Sequence, residues 1–248
     1  MKWGSFGPVH IATLILGAAM MMGLYYLLKN RSKRVQTTVL GVLSLYCVAA
    51  VTFDFLRWGS PLEYLPLHLC SFNALLLPVA IFSRNKALCN MLLLWSLGAG
   101  AALLINTAQA EYVLLSDVFC FYFFSHVLEF GIPILLFKLG LAEKDFKCIV
   151  STMLISIGIY TAVHFINLSI NAYCAANQIL NSAGEVIKVN YMFSMWSDNA
   201  LLDVFYRILP LPYWYMYLVF PIVVLYLAAV YAPQIVSFAR KKRTRAAV

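Results

Sequence analysis

Long runs of apolar residues alternate with short polar connections along most of this chain. Seven runs are close to the roughly 20 residues that a helix needs to cross the hydrocarbon of a bilayer. They cover residues 8–28, 37–56, 61–82, 88–108, 117–138, 147–170 and 213–237. The runs lack the alternation typical of barrel strands. The pattern therefore predicts an all-α membrane protein, a seven-transmembrane helical bundle in which residues 1–248 form a single domain.

Composition agrees with this pattern. Only 11% of the residues are charged, whereas soluble domains average about 25%, so an ordinary globular protein is excluded. The net charge of +8 comes from basic residues in short runs between apolar segments, and we therefore expect no nucleic acid as a partner. Membrane phospholipids are the expected partners, in a multi-pass protein of the cell membrane, and the oligomeric state is left open.

The basic residues also predict an orientation. Fourteen of the 18 follow the first, third, fifth and seventh runs, which places them on one side of the membrane. By the positive-inside rule, the N-terminus lies outside and the C-terminus in the cytoplasm, with residues 239–248 as a basic cytoplasmic tail. The fourteen are Lys29, Arg31, Lys33, Arg34, Arg84, Lys86, Lys138, Lys144, Lys147, Arg240, Lys241, Lys242, Arg243 and Arg245.

The connection 171–212 is long and falls on the outer side of the predicted topology. Connections of this length are usually functional or disordered. Large apolar residues such as Phe193 and Trp196 argue against disorder. We therefore expect an extracytoplasmic lid, either re-entrant or lying in the membrane interface.

All four histidines lie inside apolar runs, toward the predicted outer side. They are His10, His68, His126 and His164. Ionisable groups in a bilayer are costly and usually face a protein interior or a water-filled cavity. Glu129 follows His126 by three residues and so shares its helix face. These residues predict a polar pocket in the outer part of the bundle.

The third run begins with helix-start signals. Residues 60–63 offer a serine cap, a proline in the first turn and a glutamate three residues after the cap. A helix from this point contains Pro66, which would free one backbone carbonyl. On such a helix His68 and Cys70 are about 200° apart and point to different faces. A nucleophilic Cys70 therefore needs its base from another helix, and His126 is at nearly the same depth.

Two other interpretations remain open on the residues alone. A zinc-dependent seven-span lipid hydrolase or amidase would use the four histidines, because catalytic zinc commonly takes three protein ligands. The last run lacks the paired histidines typical of such enzymes. A non-enzymatic transporter or binding subunit for a small polar molecule is the second alternative, since intramembrane His and Glu suit proton coupling. The leading interpretation needs no metal and no cofactor.

Five short motifs carry a resemblance over nearly the whole chain. They are FGPVH at 6–10, LPLHLC at 65–70, NYMF at 190–193, LLD at 201–203 and PLPYWYMY at 210–217. In these the chain resembles the bacterial YwaF-type integral membrane family, whose animal relatives are the transmembrane protein 164 acyltransferases. The resemblance implies a bacterial cytoplasmic membrane protein that moves acyl chains between phospholipids by means of a cysteine and a histidine.

Carried onto this chain, the resemblance assigns the catalytic pair to Cys70 and His126. Ser125 stands where the family pattern leads us to expect glycine, and residues 194–197 replace a leucine-rich, proline-containing stretch. The second departure bears on the shape of the lid or on the substrate.

The sequence therefore favours an intramembrane lipid acyltransferase or transacylase. Cys70 attacks a lipid ester, His126 takes its proton, Glu129 orients His126, and His68 or Asn106 stabilises the oxyanion. The residues predicted to bind substrate are His10, His68, Asn106, His164, Asn190 and Tyr191.

Overall fold

The computed structural model describes residues 1–57, 60–106, 109–198 and 200–246, with side chains described as far as Phe238. Within these ranges the fold is all α-helical and contains only isolated β-bridges, so the predicted class is confirmed. The elements given for the described residues are two 3₁₀ helices, Tyr191–Phe193 and Trp214–Val219, and eight α-helices. These are α1 (Pro8–Leu28), α2 (Lys33–Arg57), α3 (Leu69–Ser83), α4 (Lys86–Leu104), α5 (Asp117–Lys138), α6 (Cys148–Asn177), α7 (Ala200–Ile208) and α8 (Phe220–Ala246).

Six helices in the described ranges are long and apolar enough to cross a membrane, so the chain is a multi-pass membrane protein. They are α1, α2, α4, α5, α6 and the continuous segment Trp214–Phe238. The predicted third span, 61–82, is shorter than expected, because α3 has 15 residues and begins only at Leu69.

Proline explains why the helix does not begin at residue 61. Pro66 has no backbone N–H and disfavours helical angles in the residue before it. The chain turns there instead, and the Leu67 N–H donates to the Leu65 carbonyl at 2.7 Å. The predicted cap is also wrong, since the buried Ser60 hydroxyl has no hydrogen-bond partner among the described residues.

Other helix ends differ from the predicted ones. α6 runs on to Asn177, and its 30 residues span about 45 Å at the α-helical rise, well beyond a hydrocarbon core of roughly 30 Å. The connection predicted from residue 171 therefore begins at 178. α8 continues to Ala246, so helix replaces most of the predicted tail at 239–248. Residues 107–108 of the fourth predicted span and 247–248 of the tail lie outside the described residues.

α5 lies at the centre of the bundle and contacts α1, α2, α3 and α4. Its buried side chains include Phe123, Val127 and Ile132. α1 approaches α5 closely at Gly17, where an added Cβ would meet a methyl group of Val127 at 2.9 Å. Small residues allow this approach, as is common in membrane helix packing.

Contacts define the two ends of the bundle. At the end where α1 begins, called the Pro8 end, the Trp3 N–H donates to the Tyr112 carbonyl at 2.8 Å, and Arg57 pairs with Asp117. At the opposite end, called the basic end, Lys86 pairs with Asp145 at 2.5 Å. The hydrogen bond from Lys86 holds the pKa of the Asp145 carboxyl below its usual range. The basic connections after α1, α3 and α5 all lie at this end.

Candidate functional site

A small cavity lies between α2, α3 and α5, toward the Pro8 end. Its volume is about 50 Å³, which is enough for one or a few water molecules but far below the roughly 300 Å³ of a small-molecule pocket. It can therefore take the reacting group of a larger molecule and not the whole of it. The lining residues are Ala50, Val51, Asp54, Cys70, Ser71, Phe121, Tyr122, Ser125, His126 and Glu129.

The polar wall of this cavity comes from one face of α5. Tyr122, Ser125, His126 and Glu129 follow one another at spacings of three, one and three residues. Positions three and four apart are neighbours on a helix surface, so these side chains fall on one side. This cavity, which we call the Cys70 cavity, brings together the three predicted catalytic residues Cys70, His126 and Glu129.

Cys70 is the second residue of α3 and is half-buried. Cys47, Cys89 and Cys174 are fully buried, as is usual for cysteines that act as small apolar residues. Cys120 and Cys148 are also half-buried but do not line the Cys70 cavity. Position and exposure therefore distinguish Cys70 from the other five.

His126 is buried, and its own helix orients the ring. The Nδ1 atom lies 2.7 Å from the Tyr122 carbonyl oxygen. A carbonyl oxygen only accepts, so Nδ1 carries the hydrogen and donates it. In a neutral ring Nε2 then has a free lone pair and can take a proton. The ring also packs against the Tyr122 ring, with centroids 4.2 Å apart.

Glu129 does not have the predicted contact. We expected Glu129 to orient His126 by a hydrogen bond, but the Nδ1–H of His126 donates to the Tyr122 carbonyl. Glu129 is 2% exposed, and its Oε2 atom has no hydrogen-bond partner among the described residues. Asn73 donates to the Glu129 backbone carbonyl at 3.2 Å. An unpartnered carboxyl oxygen in the cavity wall suits a hydrogen-bonding occupant.

Sequence reasoning assigned no site role to four polar members of the cavity. Ser71 and Ser125 stand next to the predicted pair, and Tyr122 is one helical turn before His126. Asp54 lies near the end of α2. The turn spacing could have indicated Tyr122, whereas Asp54 reaches the site only through the packing of α2 against α5.

His68 lies apart from the Cys70 cavity. It immediately precedes α3, and its Nδ1 accepts the Met192 N–H at 3.4 Å. Its ring packs against Tyr191 and Phe193, with centroid distances of 5.4 and 5.6 Å. The predicted separation of His68 from Cys70 is present, but it arises because His68 is outside the helix. The oxyanion role predicted for His68 does not fit this position.

Three other predicted binding residues have structural partners, and their binding role stays a prediction. His10 Nε2 donates to the Leu103 carbonyl at 2.8 Å, since its Nδ1 accepts the Phe6 N–H. Asn106 donates to the Gly4 carbonyl at 2.8 Å. His164 Nδ1 lies 3.0 Å from the Ser194 hydroxyl. These bonds join separate parts of the chain, and none of the three residues lines the Cys70 cavity.

The four histidines therefore do not line one shared pocket. Each has different neighbours, and the described residues contain no group of three or more His, Cys, Asp or Glu side chains that could hold a metal ion. The hydrolase interpretation requires at least three zinc ligands close together, and the described residues do not provide such a group.

Asn190 and Tyr191 belong to the connection between α6 and α8, where two asparagines of α6 hold the chain. Asn171 accepts the Val189 N–H at 2.7 Å and donates to the Val189 carbonyl at 2.9 Å. Asn167 does the same for Tyr191, at 3.0 and 2.8 Å. Two asparagines that are one helical turn apart on α6 thus bind Val189 and Tyr191, which are two residues apart in the connection. Asn190 instead bonds within its own loop, to Met195 and Trp196.

The held segment in turn positions the start of α3. The Tyr191 hydroxyl donates to the Leu62 carbonyl and accepts the Leu65 N–H. These contacts, with the one at His68, connect the α6–α8 connection to the residues just before Cys70. Asn190 and Tyr191 thus have a structural role, and their predicted binding role stays a prediction.

Replacing Asn167 with alanine should loosen this connection. The buried N–H and carbonyl of Tyr191 and the Ser194 hydroxyl would each lose a partner. We expect a loss of about 1–3 kcal/mol in local stability, measured as faster amide hydrogen exchange over residues 189–194. Asn177→Ala is the control, because that exposed side chain bonds only within its own helix. Equal exchange in both variants would show that Asn167 does not hold the segment.

The fold and the cavity together define a multi-pass helical membrane protein with a cysteine, a histidine and a glutamate at one internal site. The TMEM164 family model matches residues 5–231, and the chain therefore belongs to the TMEM164 family. No curated protein and no solved structure matches the chain. The relation to bacterial YwaF-type proteins stays a prediction.

Proposed function

We propose that this protein is an intramembrane transacylase that moves an acyl chain between phospholipids. The observation that carries the proposal is the shared cavity of Cys70 and His126, in which the Tyr122 carbonyl leaves Nε2 of His126 free to act as a base. Nucleophilic catalysis by a thiol needs such a base within reach. The chain also belongs to the TMEM164 family, and the resemblance described above implies acyl transfer by a cysteine and a histidine.

The reaction runs in two balanced halves. The Cys70 sulfur bonds to the ester carbonyl carbon as its proton passes to His126 Nε2, and the carbonyl electron pair moves to oxygen. That pair then reforms the carbonyl and expels the alkoxide of the lysolipid, which takes the proton from His126. A hydroxyl of an acceptor lysolipid attacks the thioester in the second half, gives its proton to His126, and expels the Cys70 thiolate. The thiolate recovers that proton.

The position of the cavity suits a lipid ester. His126 is nine residues into α5 from Asp117, or about 13 Å along the helix axis. Ester groups lie just beneath the headgroups, at a comparable depth. Since the cavity is small, the ester enters it and the acyl chain stays against the apolar helix surfaces.

The topology belongs to the same proposal. We take α3, with the turn before it, as a seventh crossing, which places the two termini on opposite sides. From the basic connections at one end we infer that the Pro8 end lies outside and the basic end in the cytoplasm. The Cys70 cavity then serves the outer leaflet.

Trapping the acyl-enzyme tests the proposed function. Purified protein in vesicles is incubated with a phospholipid carrying a labelled acyl chain, quenched in acid and digested. We expect label on the peptide that contains Cys70, released by neutral hydroxylamine as thioesters are. Cysteines 47, 89, 120, 148 and 174 are internal controls. Lipid transfer without any label at Cys70, in an experiment that resolves a single turnover, would overturn the proposal.

A further inference from the structure

The first turn of α3 forms one part of the cavity wall, and His126 on α5 belongs to another. α3 begins at Leu69, so Cys70 and Ser71 are its second and third residues, and both line the cavity. His68, the residue before the helix, makes no side-chain cap to it. The chain therefore presents an uncapped helix start to the cavity.

The backbone N–H groups of Cys70 and Ser71 have no carbonyl partner among the described residues. The first hydrogen bond of α3 runs from the Phe72 N–H to the His68 carbonyl at 3.1 Å. Unsatisfied N–H groups at a helix start carry a partial positive charge that favours anions.

These donors belong to the same helix turn as the reacting atom. Cys70 carries the sulfur, Ser71 is its chain neighbour, and both residues line the cavity. When the ester carbonyl carbon bonds to the Cys70 sulfur, its oxygen lies one bond further from the sulfur, close to this helix turn.

A second observation marks this space as a binding site. Glu129 is 2% exposed, lines the same cavity from α5, and has an Oε2 atom without a partner among the described residues. Buried polar atoms are nearly always paired, by protein, water or ligand. The cavity is thus built for an occupant that hydrogen-bonds, and α3 and α5 face it from two sides.

We propose that the first turn of α3 is the oxyanion site of the reaction, with the Ser71 hydroxyl and the N–H groups of Cys70 and Ser71 as donors. This inference rests on the proposed function and assigns the ligand as the ester carbonyl of a phospholipid acyl chain. The negative charge that forms on the carbonyl oxygen lies at the helix start, while His126 on α5 holds the proton. Such donors act most strongly when they are fixed in place before the reaction.

The geometry favours this turn over the residues expected from the sequence. Nδ1 of His68 is occupied by the Met192 N–H, and Asn106 donates to Gly4. Neither of them lines the Cys70 cavity. Ser71, in contrast, lines the cavity beside Cys70.

Two thiol-directed probes test the proposal on the full-length protein. A phospholipid analogue with a trifluoromethyl ketone in place of the ester forms an alkoxide when Cys70 adds to it. Iodoacetamide alkylates the same thiol without forming one. We expect Ser71→Ala to weaken inhibition by the ketone by about 10²-fold, with a far smaller change in the alkylation rate at Cys70. Ser71→Thr keeps a hydroxyl and should restore tight inhibition.

Ser44→Ala is the matched control, because this buried serine donates only to the Gly41 carbonyl within α2. A parallel fall in ketone inhibition and alkylation would assign Ser71 a structural role and overturn the oxyanion assignment. Full ketone sensitivity of Ser71→Ala would overturn it as well. If Cys70→Ala is inactive in either case, the transacylase proposal survives. An active Cys70→Ala protein would overturn both the oxyanion assignment and the role of Cys70 as the nucleophile.

Discussion

Replacing Cys70 with alanine is expected to abolish acyl transfer, with a fall in kcat of about 10⁴-fold or more. Losses of this size follow when the nucleophile of a catalytic unit is removed, because the covalent intermediate can no longer form. The structural cost should be small, because Cys70 is half-buried in the first turn of a helix. The measurement is transfer of a labelled acyl chain between two lipids in vesicles, at equal protein and with the thermal unfolding midpoint as a check on folding.

Cys120→Ala provides the control for this experiment. Cys120 is also half-buried and lies in α5 near the same end of the bundle, but it does not line the cavity. Its backbone carbonyl accepts the Tyr46 hydroxyl at 3.0 Å, and that bond survives the substitution. We expect activity close to that of the unmodified protein. Full activity in Cys70→Ala would show that another residue carries the acyl chain, or that transfer is direct.

The helices were predictable because apolar length determines which segments can cross a bilayer. A spanning segment must satisfy its backbone internally, so each long apolar run becomes a helix. α3 deviates for a local reason that was also visible. Pro66 interrupts the start of the run, and the helix begins after it, at Leu69. Treating that proline as a boundary would have placed Cys70 in the first turn.

The cavity was predictable in part. Depth along the third and fifth runs predicted that Cys70 and His126 face one site, and the structure places both around one cavity. The spacing of His126 and Glu129 correctly gave a shared face but not a hydrogen bond. The Tyr122 carbonyl, four residues before His126 on the same helix, takes the Nδ1 hydrogen instead. Helix spacing defines neighbours without choosing among them.

The hydrogen bonds that the sequence did not predict join parts of the chain that are far apart in sequence. His10 bonds to Leu103, and Asn171 bonds to Val189. The apolar pattern contains no information about such partners, because each bond joins segments that meet only after the bundle has packed. The same limit applies to Tyr191, whose hydroxyl bonds to residues just before α3.

The α6–α8 connection therefore has an indirect effect on the proposed chemistry. Asn167 of α6 holds Tyr191, and Tyr191 holds the turn at residues 62–65. That turn leads directly into the first turn of α3 and to Cys70. A long connection is stabilised in this way as part of the site, although it does not line the cavity. Small displacements of a nucleophile cost large factors in rate.

His126→Asn is expected to lower the rate of Cys70 acylation by about 10²–10⁴-fold, the usual contribution of a general base. Asparagine can place its side-chain nitrogen where Nδ1 lies and still donate to the Tyr122 carbonyl, but it has no counterpart of Nε2. The variant thus keeps the orienting bond and removes the base. His126→Ala removes both, and the lost bond is worth about 1 kcal/mol of stability.

Comparing the two variants separates catalysis from folding. If Nε2 is the base, His126→Asn and His126→Ala are equally slow in single-turnover acylation, while His126→Asn keeps the unfolding midpoint of the unmodified protein. Should His126→Asn retain the original acylation rate, the bond to Tyr122 would be the whole role of His126, and the base would have to come from elsewhere in the cavity. Glu129, with its unpartnered oxygen, would then be the next residue to replace.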